Sequence, residues 1–172
     1  MMPEPVSALV ALGGNVGDVG AAMQGALERL HREPDMRVMA VSPVYWTPPW
    51  GITDQPRFLN ACAELESRLP PDMLLERLQA AERGAGRERT RRWGPRSLDI
   101  DIIAYGDVKL DTPALTLPHP RLFERAFVLV PLADIAPDRV IAGRGVRAAA
   151  DEADRAGIER ADMRLRVPGD RD

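Results

Sequence analysis

The segment Thr47 to Pro56, TPPWGITDQP, carries three prolines and one glycine in ten residues. Proline has no N–H to donate and a fixed φ, so this segment is neither a helix nor a central strand, and a long loop is expected. Its position divides the hydrophobic pattern of the chain. Ahead of it, the apolar run Val6 to Leu12 stops at Gly13-Gly14-Asn15, which predicts a strand entering a tight turn. Asp18 is placed to cap a helix whose apolar face is Ala22, Ala26, Leu27 and Leu30. Pro34-Asp35 breaks that helix, and Met36 to Ser42 predicts a second strand. Behind the loop, Phe58 to Glu66 predicts a third strand, and Pro70-Pro71 opens a helix through Leu74, Leu75, Leu78 and Ala81 to about Arg83. Gly84 to Gly86 ends it, and a strand Leu98 to Tyr105 follows. The order βαββαβ predicts an α+β fold with two helices on one face of a four-stranded antiparallel sheet, leaving the other face and the strand ends to carry long loops.

Beyond this core, Gly106-Asp107 turns into a short arm, Val108 to Leu110. LTLPHP makes a rigid approach to Arg121, and Arg125 to Asp134 reads as a helix despite Pro131. The charged, alanine-rich stretch 144–172 is expected to hold one helix near Val146 to Ala156, with its last ten residues frayed. No repeat or linker divides the chain, so 172 residues read as one domain with its core at about residues 6–140. Net charge is −3, so any phosphate or nucleic-acid role must come from a local patch. The 23 basic residues include one lysine, Lys109, a skew that reflects genome composition more than a choice of guanidinium geometry. Cys62 is the only cysteine and His31 and His119 the only histidines, which exclude a disulfide framework and a Cys/His zinc site. The opening residues have no basic start and no run is long enough for a membrane span, so a cytoplasmic protein is expected.

The local patch is Arg87 to Tyr105. Between Arg83 and Arg96 stand six arginines, one acid (Glu88) and Trp93; Asp99 and Asp101 then alternate with Leu98, Ile100 and Ile102. On a strand the two aspartates share a face roughly 7 Å apart, a spacing that suits hard cations such as Mg²⁺. An arginine loop beside such a pair suggests a polyphosphate site. An exposed strand face after a solvated basic loop gives the same pattern. Trp93 among arginines also fits an RNA-binding module stacking on bases. No P-loop is present, and the GGNVG near residue 13 lacks the rest of a dinucleotide fingerprint. His31 closes an amphipathic helix and is expected at the surface. His119, between two prolines and near Arg121 and Arg125, is placed to donate to a phosphate oxygen.

The motifs LGGN (Leu12 to Asn15), TPPWG (Thr47 to Gly51), DQPRFLN (Asp54 to Asn60), RWGPRSLDIDI (Arg92 to Ile102) and LPHPRLFERAFVLVPL (Leu117 to Leu132) resemble the 6-hydroxymethyl-7,8-dihydropterin pyrophosphokinases. The resemblance implies a ferredoxin-like core with C-terminal helical additions. It also implies transfer of pyrophosphate from ATP to the pterin hydroxymethyl group, with release of AMP, in folate biosynthesis. By similarity Asp99 and Asp101 hold two Mg²⁺ ions, and Arg87 and Arg89 contact phosphates as their loop closes. Glu82, Arg89, Trp93, Arg96, Ile102, His119 and Arg125 match nucleotide-binding positions. Thr47, Pro48, Pro49, Trp50, Phe58, Asn60 and Phe127 match the pterin pocket, Asn60 meeting the amide edge and Phe127 stacking on the ring. The partners implied are ATP and the pterin alone, with no nucleic acid, membrane or obligate protein partner. Trp50 and Phe58 depart from the aliphatic and tyrosine residues common in the family, yet both remain large and apolar. Gly14 replaces a common serine, and Ala114 replaces a basic residue.

Overall fold

The computed structural model describes residues 3–49, 51–85 and 97–169. The roles expected of Trp50, Arg87, Arg89, Trp93 and Arg96 therefore lie outside the described residues. A six-stranded antiparallel sheet organises the chain. Its centre is β1 (Val6–Gly14), flanked by β4 (Phe58–Ser67) and β5 (Asp99–Tyr105). On the far side of β4, β2 (Met36–Val41) and β3 (Tyr45–Thr47) pair with successive halves of that strand. The kink between them is held at Ser42, whose amide donates to Cys62 O (2.9 Å) while its hydroxyl accepts from the Cys62 amide (2.8 Å).

α1 (Val19–Arg32) and α2 (Pro71–Gly84) cover one face of the sheet. As expected, Asp18 caps α1, its carboxylate accepting from Ala21 N at 3.1 Å. Beneath them lie Ala8, Val10 and Leu12 of β1 with Ile100 and Ile102 of β5. The other face is not left to loops, as the pattern had suggested. Leu9 and Ala11 of β1 pack with Cys62 and Ile103 against α3 (Ala126–Ile135) and α4 (Val146–Glu152). The unbroken apolar run of β1 is the signature of a strand buried on both sides, where a half-exposed strand would alternate. α3 holds despite Pro131 because Val128, Leu129, Val130 and Leu132 are all buried.

β5 leads to a small hairpin of β6 (Leu110–Asp111) and β7 (Thr116–Leu117), and a second hairpin, β8 (Val140–Ile141) with β9 (Arg144–Gly145), precedes α4. β10 (Glu159–Arg160) closes the sheet edge beside β3. Three further expectations change. Thr47 ends a strand and does not open the proline loop. His31 is only 5% exposed, because its ring turns inward and its Nδ1 accepts from Val38 N at 3.1 Å. The tail expected to fray is docked as far as Arg166, since Ala161 and Leu165 are buried and Gln24 of α1 bonds the Arg166 backbone.

Candidate active site

The strand register sets four residues in one row across the sheet. Tyr45 opposes Asn60, Asn60 opposes Gly13, and Gly13 opposes Asp99. In the next row Cys62 and Asp101 both oppose Ala11. Directly opposed residues of antiparallel strands share a face, so Asn60, Asp99 and Asp101 all stand on the α3 side. Between the amide and the carboxylates the sheet presents Gly13, half-buried and without a side chain, while Ala11 is packed beneath α3. Asn60 and Asp99 are two strand spacings apart, on the order of 10 Å. Asn60 is buried, and its Nδ2 donates to Thr47 Oγ1 at 2.6 Å, which leaves its carbonyl oxygen directed over Gly13. Phe58 opposes Thr47 on the same face and is half-buried.

Asp99 is half-buried and Asp101 exposed. Arg125, at the entry to α3, lies within electrostatic range of both. Burial pulls its guanidinium below the usual value, and the two aspartates oppose that shift. The same guanidinium lies 5.7 Å from the centre of the Phe127 ring. His119 is held beside β5 by its backbone, whose amide donates to Ile103 O at 2.9 Å, and its ring lies within electrostatic range of Arg125. Its Nδ1 accepts from the Arg121 amide at 3.1 Å, so the neutral ring carries its proton on Nε2. Burial, with Arg125 and Arg121 adding to it, lowers the His119 pKa to about 4. The ring is neutral at physiological pH and can donate one hydrogen bond without adding charge.

Glu82 sits on the opposite face of the sheet, 4% exposed. Its Oε2 accepts from the amide of Ile100, between the two aspartates in sequence, at 2.9 Å. The carboxylate therefore fixes the start of β5, the segment that aims Asp99 and Asp101. Ile102 is 2% exposed and directs its side chain into the core beneath α1 and α2. A contact from Ile102 to a ligand on the aspartate face is thus confined to its backbone.

The structure gathers Thr47, Phe58, Asn60, Asp99, Asp101, His119, Arg125 and Phe127 at one end of the sheet. Pro48 and Pro49 follow directly on Thr47. Asn15, Tyr45 and Asp134, none of them among the predicted site residues, also build this end. Asn15 donates from Nδ2 to Gln55 Oε1 (3.0 Å) and Pro56 O (2.9 Å), tying the glycine turn to the far end of the proline loop. Tyr45 donates from its hydroxyl to Asp134 Oδ2 at 2.5 Å, joining β3 to α3. Burial and this carboxylate push the Tyr45 pKa up to about 12. The GGN turn was a visible signal for Asn15; nothing local marks the Tyr45–Asp134 pair, which spans 89 positions.

Among the described residues no group of three or more His, Cys, Asp or Glu side chains could hold a metal ion. A cation here would take oxygens from Asp99 and Asp101 and the rest from substrate and water, the habit of Mg²⁺.

The model of a family described as 7,8-dihydro-6-hydroxymethylpterin-pyrophosphokinase (HPPK) matches residues 9–137. The 2-amino-4-hydroxy-6-hydroxymethyldihydropteridine pyrophosphokinase of Methylorubrum extorquens is 51% identical over 153 residues, covering 89% of this chain and 97% of that protein. The enzyme of the same name from Pseudomonas aeruginosa is 50% identical over 129 residues, 75% of this chain and 80% of that one. Among solved structures, a Plasmodium falciparum HPPK-DHPS triple mutant with pteroate aligns at a TM-score of 0.68 and 14% identity. It covers 87% of this chain, which spans 43% of that longer one, and the likeness is one of fold. These likenesses give the RNA-binding reading no support. The chain belongs to the 7,8-dihydro-6-hydroxymethylpterin-pyrophosphokinase family, ATP-dependent diphosphotransferases that act in folate biosynthesis.

Proposed function

We propose that the pyrophosphate transfer takes place on the α3 face of the sheet, with the pterin toward Asn60 and the triphosphate toward Asp99 and Asp101. The observation that carries this reading is the shared register of Asn60 and Asp99 on Gly13. It separates an amide from a carboxylate by on the order of 10 Å, on one face of the sheet and with only the glycine between them. In the reaction that oxygen forms a bond to the β-phosphorus of ATP. The bond from that phosphorus to the α,β-bridging oxygen breaks, AMP leaves, and the hydroxyl proton passes to solvent.

Asp99 and Asp101 would hold two Mg²⁺ ions, which when bound neutralise the triphosphate and lower the pKa of the attacking hydroxyl. Asn60, kept in one orientation by Thr47, meets the amide edge of the pterin. Phe127 stacks on the ring, and Pro48, Pro49 and Phe58 wall the pocket, Trp50 keeping the pterin-binding role that the resemblance implies. His119 donates a neutral hydrogen bond from Nε2 to the nucleotide, and Arg125 supplies fixed positive charge. Glu82 holds β5 in place, and Ile102 contributes through its backbone. By the family resemblance Arg87 and Arg89 contact the phosphates, and Trp93 and Arg96 take nucleotide-binding positions. A ferredoxin-like description of the core is supported by the sheet order β2/β3, β4, β1, β5 with α1 and α2 on one face. A cytoplasmic setting fits folate synthesis, and no described helix is long and apolar enough to cross a membrane.

The test is AMP release from ATP and Mg²⁺ with and without 6-hydroxymethyl-7,8-dihydropterin. AMP formed only when the pterin is present supports the reading. Folded protein that forms none with both substrates present overturns it.

A further inference from the structure

The family match stops at residue 137, yet the chain runs back across the sheet edge that carries Thr47. Glu159 and Arg160 pair with Trp46 and Tyr45, and the Ala161 amide donates to Val44 O at 2.8 Å. Arg57 bridges the two segments, 3.5 Å from Glu159 and 4.9 Å from the centre of the Trp46 ring. Gly157, at φ +79°, lies so close to the proline pair that an added Cβ would stand 2.9 Å from Pro48 Cγ and 3.3 Å from Pro48 Cδ. The far end is anchored on α1, where Gln24 donates from Nε2 to Arg166 O (3.1 Å) and accepts on Oε1 from Arg166 N (2.8 Å). β3 is three residues long and runs straight into Pro48-Pro49, which offer no amide to a neighbour. So short a strand takes its position from what packs on it.

We propose that the segment 157–166 is a positioning element for the pterin side of the site, with Gly157 setting Pro48 and β10 setting Trp46 to Thr47. This rests on the reading that places the pterin against Thr47, Pro48 and Asn60. The segment lines the edge of the sheet opposite β5, which carries the aspartates, so disturbing it weakens pterin use and spares ATP use.

Gly157→Ala tests this against Gly143→Ala. Gly143 has φ +78°, so its substitution brings the same backbone strain, but nothing lies within 4 Å of its added Cβ. Steady-state kinetics should show the pterin KM raised about fivefold or more in Gly157→Ala, with the ATP KM within about twofold of wild type and Gly143→Ala unchanged in both. Equal KM changes in the two variants overturn the proposal. Asn60→Ala is run alongside. If it raises the pterin KM and Gly157→Ala does not, the role of the tail fails alone. If neither raises it, the pterin-side reading fails as well. Should Gly157→Ala not fold, Gln24→Leu loosens the same segment from the surface. Faster hydrogen exchange at the Trp46 and Ala161 amides together with a raised pterin KM supports the proposal, and wild-type values of both overturn it.

Discussion

Asn60 lies over Gly13 so closely that a Cβ on Gly13 would overlap the Asn60 side-chain oxygen. The missing side chain of Gly13 is the room in which the amide sits. Gly13→Ala should force Asn60 off its bond to Thr47 and cost about 1–3 kcal/mol of stability, as overpacking does. Calorimetric titration should show pterin binding weakened and binding of a non-hydrolysable ATP analogue retained. Unchanged pterin affinity would mean that the orientation of Asn60 is unimportant.

Glu82 and Ile100 give a second, separable test. Gln keeps an acceptor for the Ile100 amide, whereas Leu leaves that buried N–H without its partner, at a cost of about 1–3 kcal/mol. Glu82→Gln should therefore melt close to wild type and Glu82→Leu well below it. Equal melting temperatures would show that the bond does not hold β5.

The acid and alkaline limbs of stability follow from two side chains. The folded-state pKa of His119 is lowered from 6.5 to about 4, so the unfolded chain binds the proton first as pH falls. Its contribution is present above pH 6.5 and is lost as pH drops toward 4. The Tyr45 pKa is raised from 10.0 to about 12, so its contribution is present below pH 10.0 and is lost as pH rises toward 12. Denaturant melts across pH, compared with His119→Gln and Tyr45→Phe, should show each limb flattened in the matching variant. A limb unchanged by its variant contradicts the assignment.

Much of this molecule is legible in its sequence because the signals are local. Asp18 caps the helix that it precedes, and the alternation through Asp99 and Asp101 sets both on one face of β5. What was missed depends on pairing across distance. Leu9 and Ala11 bury a second sheet face only because α3 and α4 return to it, and the unbroken run of β1 was the one sign of this. His31 turns inward to meet Val38, and the polar tail docks through main-chain bonds that composition does not reveal. Ile102 alternates with the aspartates, so the period that exposes them necessarily buries its side chain.

The proline loop should close on substrate. It is already tied to the glycine turn through Asn15, and ligand binding would add contacts at Thr47 and Asn60. Hydrogen exchange across residues 51–57 should slow when pterin and an ATP analogue are added together. Exchange that does not respond would show that this loop does not close on substrate.

Asp99 and Asp101 are proposed to serve phosphoryl chemistry and not the fold, a claim that Asp99→Asn and Asp101→Asn put to the test. Pterin-dependent AMP release at saturating Mg²⁺ should fall by about 100-fold or more in each variant, with thermal melting close to wild type. Either variant turning over near the wild-type rate would contradict the claim.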